Sequence, residues 1–246
     1  MSGARERILA RIRKAQGRGG NAPSRAELEA VETYLRAHPR GTLPKVEADL
    51  IARFRARAES MQSTTEEIAA RAEVPAAVAR YLKAGKLPLA GCVWPQLADL
   101  DWKGAGLALE PREANGGDAV GVSGAFAAIA ETGTLVFASG PDTPSTVSLL
   151  PETHVAVVSA RRIVAHMEDA WALARAELRQ LPRAINFVSG PSRTADIDQT
   201  IVLGAHGPYR VHIIVVQDSN GGTYVVDRGR AVDTAAEVTR IARIPQ

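Results

Sequence analysis

The sequence predicts an α/β fold, with a largely parallel sheet covered by helices on both faces. Two observations predict it. The runs HVAVVS (154–159) and VHIIVV (211–216) are almost continuously apolar instead of alternating, as strands covered on both faces are. From about residue 60 short helical patterns alternate with short apolar runs, and residues 154–189 read strand, helix, strand, in outline a βαβ unit.

The first third is helical. Ala4 to Ala15 places Ile8, Leu9 and Ile12 at helical spacing. Residues 17–23 are a breaker-rich linker. Ser24, with Glu27 three residues on, forms a capping box for a helix that runs to about Ala37, and His38-Pro39 closes it. Pro44 opens a third predicted helix with Val46, Leu50, Ile51 and Phe54 as its apolar stripe. Val74 to Ala84 reads as a helix ending at Gly85. Leu87 to Val93 reads as a strand, and Ala119 to Ala130 as a small-residue, glycine-punctuated apolar run. Thr134 to Ala138, His154 to Ser159, Ala184 to Ser189 and Val211 to Val216 read as strands, with a helix from about Ile163 to Leu181. Ser219 to Gly222 is a turn, so Thr223 to Val226 is expected to return as a hairpin arm.

Composition narrows the function classes. Of 246 residues nearly half are apolar and few are aromatic, so the core is built from Ala, Val, Leu and Ile. The single cysteine, Cys92, cannot form an internal disulfide or ligate an iron–sulfur cluster alone. It reads as a small buried hydrophobe in a reducing compartment. No apolar run approaches the roughly 20 residues that span a bilayer, and the charged N-terminus lacks a signal peptide's apolar core. The expectation is a cytoplasmic protein without a membrane partner. Residues 1–60 carry 13 Lys+Arg against 7 Asp+Glu, a balance of +6, and the rest 17 against 20, a balance of −3. Nucleic acid is not the expected partner, because no recognised motif and little aromatic material accompany the basic arm. No zinc or iron ligand spacing and no nucleotide-binding glycine fingerprint occur.

Three segments carry candidate chemistry. In Glu131-Thr132-Gly133-Thr134 a carboxylate lies beside two hydroxyls and a glycine before an apolar strand, and Ser139-Gly140 follow that strand. Three roles are open to Glu131: nucleophile, general base, or cap for hydroxyl and backbone N–H groups. In Ser189-Gly190-Pro191-Ser192-Arg193-Thr194-Ala195-Asp196, after the strand INFVS, exposed backbone N–H groups, hydroxyls and a planar guanidinium suit an oxyanion. Asp196 would orient Arg193 or the hydroxyls; the alternative is a Gly-Pro turn with a solvated Arg. In Gly204-Ala205-His206-Gly207-Pro208 a histidine lies in a loop that a ligand can approach closely, a setting for proton transfer. His154, His212, His166 and His38 rank below His206.

AIAETGTLVFASGP, SLLPETHVAVVS, INFVSGPSRTADI and VLGAHGPYRVHIIVV occur in that order. Together they resemble the LUD-domain family, the LutC or YkgG type of lactate utilization protein, over about residues 60–220. The resemblance implies an open, mostly parallel sheet flanked by helices, similar to the NagB/RpiA/CoA transferase-like superfamily. On it, residues 1–60 are an N-terminal helical extension and 61–246 the LUD domain. It implies a cluster-free component of an L-lactate-oxidising system, with iron–sulfur clusters on two partner proteins, one rich in cysteine pairs and one ferredoxin-like. The ligand expected at Thr132, Gly133, Thr134, Ser139, Gly140, Ser192, Arg193, Thr194, Asp196 and Gly207 is a small carboxylate or other anion, with Glu131 and His206 as catalytic candidates and no metal. The segment 142–146 lacks the basic residue associated with many relatives there. Two other classes stay open: a stand-alone enzyme on a sugar phosphate or coenzyme A thioester, and a carboxylate-binding regulatory module.

Overall fold

A computed structural model describes residues 3–17, 22–178, 180–194 and 202–217. The chain divides into two units, Met1–Leu43 and Pro44–Gln246. The first holds α1 (Ala4–Ala15) and α2 (Arg25–Ala37). Ser24 caps α2 as expected: its hydroxyl accepts from the Glu27 amide while Glu27 accepts from the Ser24 amide at 2.8 Å. No residue of either helix is buried.

The second unit opens with α3 (Leu50–Ser60). The helix begins six residues later than Pro44 suggests, because the Asp49 carboxylate caps it by accepting from the Ala52 amide at 3.0 Å. Phe54 and Ala58 on this helix are fully buried in the main core. There follow β1 (Thr64–Ile68), α4 (Val74–Ala84), β2 (Ala90–Val93), β3 (Ala108–Pro111), β4 (Val120–Gly124), β5 (Ala127–Ile129), β6 (Thr134–Ala138), α5 (Thr146–Leu149) and β7 (Thr153–Ser159). Next come β8 (Ile163–Val164), α6 (Met167–Glu177), β9 (Ile185–Val188), β10 (Arg193–Thr194), β11 (Val202–Leu203) and β12 (Arg210–Val216).

Among the described residues the central sheet has six strands in the order β1-β12-β7-β4-β2-β3, all parallel. Every residue of β7 is buried, and every residue of β12 except Arg210. The apolar runs therefore report what they predicted: two adjacent central strands with both faces covered. A mixed sheet of four described strands, β8-β5-β6-β9, has its own smaller core with α6, built on Phe126, Ile129, Val136 and Leu173.

The strand, helix and strand read over 154–189 are present, but this second sheet keeps them from forming a βαβ unit. The strand β7 belongs to the parallel sheet, whereas β9 pairs antiparallel with β6 in the other one. The helix between them is also shorter than expected. Ile163 and Val164 pair with β5 as a strand, and α6 starts only after His166. The turn and hairpin arm expected at 219–226 lie outside the described residues.

Candidate functional site

The strands β5 and β6 form an antiparallel hairpin, and residues 130–133 are its tip. The tip runs beside the end of β8: the Ala130 amide donates to Val164 O at 2.8 Å and the Glu131 amide to Ala165 O at 3.1 Å. That ladder brings Glu131 next to His166. Glu131 Oε2 lies 2.8 Å from His166 Nδ1, with the side chains 29% and 13% exposed. His166 is also the N-cap of α6, its amide donating to Asp169 Oδ2 at 3.0 Å.

The next residues of the tip start a hydroxyl chain. Thr132 Oγ1 is 2.7 Å from Thr134 Oγ1, which is 2.7 Å from Ser189 Oγ. Sheet register causes it: Leu135 pairs with Val188, so Thr134 and Ser189 are the next residues facing one another. Thr134 is buried and Ser189 exposed, so the chain runs from interior to surface.

The end of α3 gathers both candidate segments. Gly133 has φ +69°, and a Cβ there would lie 2.5 Å from the Ala58 amide nitrogen. Gly190 has φ +73°, and a Cβ there would lie 2.2 Å from Met61 O. Only glycine permits this backbone conformation and this approach together. Arg193 then donates from Nη2 to the same Met61 O at 2.6 Å. That carbonyl lies at the negative end of the helix dipole, where a cation is favoured. A guanidinium has five donors, and among the described residues Arg193 uses one of them on Met61 O, so the exposed fork keeps donors toward solvent.

The third segment folds against the second. The Ser192 amide donates to Pro208 O and the Gly204 amide to Ser192 O, each at 2.9 Å, and β10 pairs antiparallel with β11. A Cβ on Gly207 would meet Ser192 Cβ at 3.2 Å, so Ser192 and Gly207 are neighbours. His206 is exposed on this loop, and Thr194 is half-buried in β10. Asp196 lies outside the described residues.

Ser139 and Gly140 are not brought to this place. They follow the far end of β6, about 17 Å from Thr134 at strand rise. There Ser139 closes the β6–β9 ladder: its hydroxyl accepts from the Ala184 amide at 2.9 Å. Gly140 forms a bridge with Thr143.

Two groups escaped the sequence reading. His166 gave no signal beyond starting a helix, and the contribution of the α3 terminus is made by backbone, which no motif marks. The remaining histidines of this unit are interior. His154 is fully buried on Ser123 Oγ at 2.8 Å, and burial depresses its pKa to about 3. His212 stacks on Tyr81 with ring centroids 4.0 Å apart and contacts Thr64 Oγ1 at 2.8 Å; burial lowers its pKa to about 4. Cys92 is fully buried, and desolvation raises its thiol to about 11. Among the described residues no three His, Cys, Asp or Glu side chains are placed to hold a metal, and no helix is long and apolar enough to cross a membrane.

Residues 51–216 match the LUD domain family model. Over 102 residues the chain is 40% identical to a protein of Bacillus licheniformis named lactate utilization protein C, and 38% identical to the protein of that name from Bacillus subtilis. Each match covers 40% of this chain and 42% of the relative, so the chain aligns with less than half of the length of these proteins. The fold is similar to the crystal structure of a DUF162 family protein from Deinococcus radiodurans. The TM-score is 0.54 at 25% identity, covering 70% of this chain and 99% of that one.

Proposed function

The chain belongs to the LUD domain family, and on that premise we propose that it serves L-lactate utilization as the cluster-free component of a lactate-oxidising system. The observation that carries the reading is the family match over residues 51–216, which spans all three candidate segments, together with relatives named lactate utilization protein C. In this reading the chain holds a small carboxylate beside the hairpin tip and the Gly190–Thr194 strand exit. The hydroxyls of Thr132, Thr134 and Ser189 and the guanidinium of Arg193 supply the oxyanion contacts. Electrons pass to iron–sulfur partner proteins, and this chain contributes ligand binding and proton handling.

The experiment is genetic. A strain deleted for this gene is expected to lose growth on L-lactate and to keep growth on pyruvate, and a plasmid copy restores it. Undiminished growth of the deletion strain on L-lactate as sole carbon source, with no second family member present, overturns the assignment.

A further inference from the structure

We propose that Glu131 and His166 form a proton-accepting dyad whose working atom is His166 Nε2. A carboxylate only accepts hydrogen bonds. Glu131 Oε2 sits 2.8 Å from Nδ1, so the neutral ring carries its proton on Nδ1 and its lone pair on Nε2. Nε2 has no hydrogen-bond partner among the described residues and is not among the polar atoms sealed from solvent. Fixing one ring nitrogen with a carboxylate and leaving the other free is how an imidazole is prepared as a base.

The other histidines of this unit show why the choice falls here. His154 Nδ1 and His212 Nε2 are both sealed in the interior, so neither can reach a ligand. His206 is exposed, but no carboxylate contacts its ring among the described residues. Among the described residues His166 alone combines a carboxylate-fixed ring with an accessible nitrogen. Its geometry is built into the fold. The β5–β6 tip is laddered to residues 164–165, and the His166 amide is tied to Asp169 Oδ2.

The ligand class follows from the proposed function, on which this step rests: a small hydroxy acid. Nε2 takes the proton of the hydroxyl; the O–H bond breaks, an N–H bond forms, and the electron pair stays on the ligand oxygen. The Glu131 carboxylate then faces an imidazolium and stabilises it.

Three measurements test the dyad. In ¹⁵N-histidine NMR of the full chain, His166 is expected as the Nδ1–H tautomer, moving toward Nε2–H in Glu131→Ala. His166→Asn keeps a donor where Nδ1 was and removes Nε2. It is expected to keep the wild-type melting temperature while L-lactate turnover by the assembled system falls about a hundredfold or more, the scale of a lost general base. A purely structural His166 is rescued by Asn, so wild-type turnover in that variant overturns the proposal. Should the wild-type chain itself fail to support lactate oxidation, the lactate reading falls and the dyad is judged by chemistry alone. Diethyl pyrocarbonate is then expected to acylate His166 at Nε2 readily, and a ring found as Nε2–H or refractory to the reagent overturns the dyad.

Discussion

Replacing Gly133 by alanine isolates the contact that seats the hairpin tip on α3. At φ +69° an L-residue costs about 1–2 kcal/mol. The added Cβ would also lie 2.5 Å from the Ala58 nitrogen, 2.6 Å from the Arg57 carbonyl carbon and 2.9 Å from Ala58 Cα. All three are backbone atoms of a helix, so the tip or the helix must move by nearly 1 Å to restore van der Waals contact. Overpacking of this kind costs about 1–3 kcal/mol. Together the expected loss is about 2–5 kcal/mol, or roughly 10 °C in Tm for a domain of this size. Gly106→Ala is the control, because Gly106 has φ +79° and nothing within 4 Å of the added carbon; it bears only the conformational cost of about 1–2 kcal/mol. Urea denaturation of both variants reads the difference in midpoint at constant slope. A Gly133→Ala loss no larger than that of Gly106→Ala would refute the close approach of the tip to α3.

Three further outcomes are expected. Arg193→Ala should weaken L-lactate binding, measured by calorimetry, by roughly 1.5–3 kcal/mol as a charged hydrogen bond is lost, with less than about 1 kcal/mol of folding stability; a larger folding loss assigns Arg193 to capping α3 alone. Glu177→Ala should destabilise by about 3–5 kcal/mol in denaturant titration, since it strands the buried Arg162 guanidinium that Glu177 holds at 2.6 Å, and a loss under 1 kcal/mol contradicts that pairing. Stability should fall as pH drops from about 6.5, because the unfolded chain takes up protons there while the buried rings of His154 and His212 resist them down to about 3 and 4. Each ring contributes about 1 kcal/mol per pH unit across that window. His212→Phe, which keeps an aromatic ring against Tyr81, should flatten the slope, and an unchanged slope removes His212 from the account.

Legibility in the sequence followed burial. The strands β7 and β12 are covered on both faces, so their apolar runs announce them. In contrast, β1 reads TTEEI and, among the described residues, lies at the sheet edge with one partner, so its polar residues tell nothing of pairing. The direction of β9 was also hidden. Its residues say strand, but its antiparallel match to β6 depends on residues almost 50 positions away. At the site, the Gly133 and Gly190 turns were visible as glycine and hydroxyl clusters. Their common seat on α3 was not, because Arg57, Ala58 and Met61 contribute backbone atoms whatever their side chains. His166 is hidden for a different reason: its Glu131 partner is 35 residues distant, so no local motif marks the pair.

The strand order β1-β12-β7 has a consequence for how the chain reaches this state on the ribosome. Thr64 and His212 are partners across 148 positions, and β12 enters between two strands that precede it. Until residue 216 has left the exit tunnel, β1 has no strand to join and the inner edge of β7 stands open. Contacts of such sequence separation form slowly, and unpaired edges invite association with other chains. The β5–β6 hairpin, by contrast, can close as soon as it emerges. Synthesis therefore assembles the Glu131 tip early and withholds the central sheet until late, an interval in which a chaperone has an apolar edge to hold.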